Sequence, residues 1–132
     1  MTSHRILLVE DNAANMTLAT FLLQSAGYEV ISATDAETGV GLARTEHPAL
    51  ILMDIQPPGM DGLQATAQLR ADESTRGIPV IALTALAMKG DEARILAAGC
   101  DGYIAKPLDY KAFLATVADF LARPSVASAK HD

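Results

Sequence analysis

One alternation limits what this chain can fold into. Five short apolar runs, at residues 6–9, 28–32, 50–53, 78–83 and 103–105, are each followed by a segment whose apolar residues recur at helical spacing. After the first run, Leu18, Phe21, Leu22 and Ala26 fall at such spacings over 13–26, and Gly27 stops the pattern. Ala36, Val40 and Ala43 share a face in 35–47. Weaker helical patterns cover 63–71 and 90–98, the second ending at Gly99. Tyr110, Phe113, Leu114, Val117 and Leu121 make the clearest apolar face of all. A strand followed by a helix, five times over, implies a parallel sheet covered on both sides. The near-continuous apolar runs suit strands buried on two faces, whereas 28–32 mixes polarities and suits an edge. Pro79 near the start of the fourth run sits where a missing N–H is tolerated.

The expected fold is therefore α/β: a doubly wound, five-stranded parallel sheet in the flavodoxin-like (βα)5 arrangement, strand order 2-1-3-4-5. A length of 132 residues gives one domain, and half of them are hydrophobic, with three Phe, three Tyr and no Trp. The core is thus aliphatic. The formal charge of −6 argues against non-specific nucleic-acid binding, which needs a basic face. Cys100 is the single cysteine, so no internal disulfide forms and a reducing compartment fits; the residue reads as a small buried one after Gly99. The apolar run at 6–9 is too short for a signal peptide or a membrane span. These features point to a cytoplasmic protein with no membrane contact. Residues 123–132 lack a pattern and are expected to be a flexible C-terminal tail after a domain at 1–122.

In such a sheet, ligands bind beyond the carboxyl ends of the strands, where the order reverses. The first run ends in Glu10-Asp11 and the third in Asp54, and the two strands are neighbours there. Three carboxylates therefore meet in one crevice. Each like-charged pair about 4 Å apart costs about 1 kcal/mol in water and about 4 kcal/mol at an effective dielectric near 20. Protonation would relieve this, but at neutral pH a divalent cation does so better. Oxygen ligands without His or Cys select a hard ion, Mg²⁺ before Ca²⁺, and Mn²⁺ is an acceptable substitute. A cap on the first helix would be a bland use for Asp11, and a turn a bland use for Asp54; neither accounts for Glu10 and Asp54 together. Lys106 follows the fifth run and emerges at the same edge, where its stem reaches towards Asp54; most lysines merely snorkel. Thr84 ends the fourth run between them, where a helix cap is its ordinary alternative. A metal, a lysine, a hydroxyl and backbone N–H groups make a phosphate cradle, with Asp54 placed as nucleophile.

Four segments now carry a resemblance: VEDN at 9–12, LMDIQPPGMDG at 52–62, LTA at 83–85 and YIAKP at 103–107. Over 4–122 the chain resembles the receiver domain of bacterial two-component response regulators. The stretch TALAMKGDEARILAAGCDGYIAKP, at 84–107, looks most like the single-domain regulators of bacterial cell division. The same style occurs in receivers attached to hybrid histidine kinases. The resemblance implies that Asp54 accepts a phosphoryl group from the phosphohistidine of a histidine kinase or histidine phosphotransferase. It implies Mg²⁺ on Asp11, Asp54 and the Gln56 backbone carbonyl, with Glu10 acting mostly through water. Lys106 and Ala85 would bind phosphoryl oxygens, Thr84 would turn its hydroxyl to them, and Tyr103 would change rotamer in step. The product is a switch rather than an enzyme, assisting its own phosphorylation and slow self-dephosphorylation. Its downstream protein target would dock on the face of the fifth strand, with Met88, Tyr103 and Tyr110, and the chain would be a monomer or weak dimer. Gln56 and Leu86 would flank the path of attacking water. Glu10 stands where the family more often has Asp, and Pro57 where Met or Leu is usual; Pro57 holds Gln56 extended and stiffens the loop.

Two rivals share the topology. An FMN carrier needs a Ser/Thr/Gly-rich loop after the first strand, and VEDNAAN at 9–15 would repel the FMN phosphate. A phosphatase with an Asp nucleophile after the first strand needs a D-x-D pattern, and the chain has E-D-N.

Overall fold

The alternation is realised element by element. The computed structural model describes residues 4–55, 62–84 and 89–122. In chain order these form β1 (Arg5–Val9), α1 (Ala13–Ser25), β2 (Glu29–Ala33), α2 (Ala36–Glu46), β3 (Leu50–Asp54), α3 (Gly62–Ala71), β4 (Val80–Thr84), α4 (Lys89–Ala97), β5 (Gly102–Ala105) and α5 (Tyr110–Ala122). The five strands make one parallel sheet in the order β2-β1-β3-β4-β5, as expected. The tail anticipated at 123–132 lies outside the described residues.

Period-two alternation within the strands feeds two cores. Leu7, Val9, Ile51, Met53, Val80 and Ala82 pack with Ala36, Val40, Ala43, Ala65, Leu69 and Ile95, from α2, α3 and α4. Ile6, Leu8, Leu50, Leu52, Ile81 and Leu83 pack with Ala19, Leu22, Leu23, Phe113, Val117 and Phe120, from α1 and α5. Strands covered on both faces must be apolar almost throughout, which is why β1, β3 and β4 read as unbroken runs.

Local chemistry sets the helix ends. The Asn12 side chain accepts from the Asn15 N–H at 2.9 Å, so Asn12 is the cap of α1 and Asp11 is not. Asp35 caps α2 in the same way through the Thr38 N–H at 2.7 Å. β4 starts two residues later than the run at 78–83 suggests. Pro79 has no N–H for a ladder; it stays outside the strand, and its carbonyl accepts from the Ile51 N–H at 2.9 Å.

The first helix corrects its expected face. Leu22 is buried, but Leu18 is exposed and Phe21 is 66% exposed, while Ala19 and Leu23 face the core. No charged residue occurs between Asn12 and Tyr28, so apolar residues surround the helix and periodicity alone does not select a side.

At the edge opposite the acids, Arg70 joins three elements. Its guanidinium donates to the Gly99 carbonyl (2.8 Å), the Ile78 carbonyl (2.7 Å) and Asp101 Oδ2 (2.6 Å). Asp101 Oδ2 also accepts from the Val80 N–H at 2.8 Å. Cys100, adjacent, is buried as anticipated, and burial pushes its thiol pKa up.

Candidate functional site

Strand register builds the site. Val9 stands opposite Met53 in the β1–β3 pair, so the residues that follow, Glu10 and Asp54, emerge side by side. Asp54 pairs with Leu83 in β3–β4, and Thr84 with Ala105 in β4–β5. Lys106 follows at once, its N–H donating to the Thr84 carbonyl at 2.8 Å. One oxygen from each of Glu10, Asp11 and Asp54 lies within 4.8 Å of the others. Glu10 is 1% and Asp54 3% exposed, whereas Asp11 is open to solvent. Three carboxylates offering oxygen alone fit a hard divalent ion, so this group could hold a metal.

Lys106 reaches the acids as the sequence suggests. Its ammonium lies 3.1 Å from Asp54 Oδ2 and 3.0 Å from Glu10 Oε1. Burial works to lower the Lys106 pKa, but hydrogen bonds and charge at Glu10 and Asp54 outweigh it and raise it. The Lys106 amine therefore stays charged at neutral pH. Burial first, and then the hydrogen bond with Asp54, push the Glu10 carboxyl up to about 7, against the pull of Lys106. A carboxyl raised by burial and by a neighbouring acid, against one lysine, is one whose charged form is under-compensated. That is the condition under which a second cation is most stabilising.

Thr84 is 1% exposed at the end of β4. It lies one residue beyond the Asp54 partner in β4. Tyr103 is 39% exposed, and its hydroxyl donates to Glu92 Oε2 at 2.9 Å. The structure thus brings Glu10, Asp11, Asp54 and Lys106 together and leaves Tyr103 at the surface. Gln56, Ala85, Leu86 and Met88, and Pro57 with its loop, lie outside the described residues. Sequence reasoning missed two contacts. Glu10 meets Lys106 directly; no spacing rule carries that signal, because it depends on a side chain 96 residues away. Glu92 as the partner of Tyr103 was missed for the same kind of reason.

The response regulator receiver domain model matches residues 6–118. The chain belongs to this family. It is therefore a receiver domain of the two-component type, whose family role is to accept a phosphoryl group. It is 48% identical over 116 residues to the polar-differentiation response regulator DivK of Brucella ovis, covering 88% of this chain and 94% of that protein. The receiver domain of the sensor histidine kinase PA1611 from Pseudomonas aeruginosa, solved with magnesium in its active-site cleft, is 38% identical; the match covers 92% of this chain and 100% of that one, with a TM-score of 0.86. A putative response regulator from Chloroflexus aurantiacus superposes with a TM-score of 0.89 at 28% identity, over 92% of this chain and 100% of that one. The FMN-carrier and phosphatase readings are not favoured. Among the described residues, no helix is long and apolar enough to cross a membrane.

Proposed function

We propose that Asp54 is the phosphoryl acceptor of a DivK-like response regulator and that Mg²⁺ is its cofactor. One observation carries this: a nearly buried Asp54 carboxylate at a strand end, 3.1 Å from an ammonium and clustered with two further acids. An Asp54 oxygen attacks the phosphorus of a phosphohistidine on a kinase or phosphotransferase. The P–O bond forms as the P–N bond breaks, and the imidazole keeps the electron pair and takes up a proton. Lys106 offsets charge on the phosphoryl oxygens, and the Ala85 N–H binds them as well. Asp11 and Asp54, the Gln56 carbonyl and, more remotely, Glu10 would hold Mg²⁺, which would neutralise charge on the transferring group. Catalysis is mostly positioning and electrostatics. Water later cleaves the acyl phosphate, returning the Asp54 carboxylate and inorganic phosphate, so the chain is a self-resetting switch.

Thr84 then turns its hydroxyl to the phosphoryl group, and Tyr103 leaves the surface. A charge-assisted hydrogen bond is worth roughly 1.5–3 kcal/mol. That shifts a two-state equilibrium about 10- to 150-fold, short of the about 5.5 kcal/mol that a change from 1:99 to 99:1 requires. Lys106 and the segment after Thr84 supply the remainder. The target protein binds the β5 face, with Tyr103 and Tyr110. We place the domain over 1–122, in the cytoplasm, as a monomer or weak dimer. The greater identity to DivK than to the kinase-borne receiver favours a cell-division regulator over a hybrid-kinase module.

Intact mass after incubation with a small acyl phosphate and Mg²⁺ tests the assignment. Wild type gains one phosphate and Asp54→Asn gains none. A gain that survives the substitution removes Asp54 from the role.

A further inference from the structure

Arg70 has no part in the scheme above, and it lies at the edge of the sheet opposite the acids. All three nitrogens of its guanidinium are engaged there. Nε donates to the Gly99 carbonyl at 2.8 Å, Nη1 to the Ile78 and Arg76 carbonyls at 2.7 and 3.0 Å, and Nη2 to Asp101 Oδ2 at 2.6 Å. Asp101 passes the hold on to β4, for the same oxygen accepts from the Val80 N–H at 2.8 Å. The Asp101 N–H in turn donates to the Val80 carbonyl at 2.8 Å. One side chain from the last turn of α3 thus ties together the entry to β4, the exit from α4 and the entry to β5. The exit from α4 is shaped around it. Gly99 has a φ of 111°, and a Cβ there would lie 2.7 Å from Arg70 Cγ.

The clamp matters because α4 has little else to hold it. Over residues 92–97 Ile95 alone is buried, and Leu96 stands 48% exposed. The α5 helix, by contrast, buries Phe113, Val117 and Phe120. A helix with so little apolar burial is held chiefly at its ends. One end of α4 follows Thr84, at the acidic edge; the other runs into Gly99, under Arg70. We infer that Arg70 is a positioning residue for α4: it fixes the carboxyl end, so that a displacement of Thr84 turns the helix about that end instead of carrying it bodily along. At 1.5 Å per residue α4 is about 13 Å long, enough for a lever. Glu92, which accepts from the Tyr103 hydroxyl at 2.9 Å, sits in the half of α4 nearer Thr84, so turning the helix withdraws that acceptor. Arginine suits the task because its planar fork fixes several acceptors at once, whereas an ammonium on a flexible stem does not. The part in switching rests on the phosphoacceptor reading above; the hold on α4 does not.

The test compares wild type with Arg70→Ala and with Arg70→Lys, which keeps the charge and much of the stem should the alanine variant fail to fold. Arg44→Ala is the control, since it breaks a 2.8 Å ion pair to Asp72 that does not involve α4. Amide hydrogen exchange is read first, on the unphosphorylated chain. In both Arg70 variants the amides of α4 exchange about tenfold faster, the low end of what one charge-assisted hydrogen bond is worth, while those of α1 and α2 keep their rates. In Arg44→Ala the α4 amides exchange as in wild type. Coupling is read next, by ¹⁹F NMR of protein carrying 3-fluorotyrosine. The chain has three tyrosines, so the Tyr103 resonance is identified by its loss in Tyr103→Phe. With saturating Mg²⁺ and a small acyl phosphate, Arg70→Lys gains phosphate within about threefold of the wild-type rate, because Arg70 touches nothing in the notch. The Tyr103 equilibrium in the phosphorylated variant nevertheless falls back about tenfold towards the surface position. A loss of stability alone would not separate phosphate gain from the Tyr103 response in this way. Unchanged α4 exchange in the Arg70 variants would overturn the inference. So would a full Tyr103 response in phosphorylated Arg70→Lys, or an equal loss of response in Arg44→Ala. If wild type gains no phosphate, the phosphoacceptor reading fails separately, and the exchange rates still decide whether Arg70 holds α4.

Discussion

At the scale of single residues, Gly62 shows how little room surrounds the acidic notch. A Cβ there would lie 2.6 Å from the Asp54 carbonyl oxygen and 2.6 Å from Ile55 Cα, and backbone yields far less readily than a side chain. Gly62→Ala is expected to push the start of α3 away from the end of β3, lowering stability by about 1–3 kcal/mol in denaturant unfolding and slowing phosphate gain at Asp54. A variant as stable and as quick as wild type would show that this approach is not required. Asp72 gives a pH signature away from the site. Hydrogen bonds from Ser74, first its N–H and then its hydroxyl, and next the Arg44 guanidinium hold its carboxyl down at about 2, below the ordinary 3.8. A depressed carboxyl contributes stability above its unfolded pKa and loses it as pH falls through the folded one. Asp72→Asn should therefore be less stable than wild type at pH 7, and the gap should close between pH 3.8 and about 2. A gap constant with pH in thermal melts would contradict this.

At the scale of elements, α1 separates what a pattern specifies from what packing specifies. Leu23 is fully buried in the core that α1 and α5 share, whereas Phe21 stands largely in solvent. Leu23→Ala should cost about 2–5 kcal/mol. Phe21→Ala should stay within about 0.5 kcal/mol, as surface changes do. Denaturant midpoints of the two variants check this, and equal losses would mean that α1 packs through a different face. The other helices were easier to read. In α2, Ala36, Val40 and Ala43 are buried on one stripe while Glu37 and Arg44 are exposed beside it, so a single face was available. In α5, Phe113 and Val117 fall on the anticipated stripe and are buried. β4 was misread at its start because hydropathy registers Ile78 and Pro79 as strand-like, while the ladder needs an N–H that proline lacks.

At the scale of the whole molecule, the fold uses two hydrophobic cores to hold a cluster of like charges at one edge of the sheet. The acids oppose folding, and the lysine offsets them only in part. A cation that binds the folded chain and not the unfolded one stabilises it, by about 2.7 kcal/mol at a concentration 100 times the dissociation constant. Mg²⁺ should therefore raise the melting temperature in a concentration-dependent way, and Asp11→Asn or Asp54→Asn should blunt the rise. An equal rise in all three proteins would place the ion elsewhere.

The order of strands, the two-sided burial and the gathering of Glu10, Asp11, Asp54 and Lys106 at one edge were all contained in the sequence. Each follows from the alternation of apolar runs with helical segments and from the handedness of parallel crossovers, which leave few topologies open. The face that α1 presents, the direct grip of Glu10 on Lys106 and the hold of Glu92 on Tyr103 were decided only in three dimensions. Periodicity is a property of neighbours along the chain. A contact between side chains far apart in sequence depends on register, reach and the space left by packing, and these exist only once the sheet has formed.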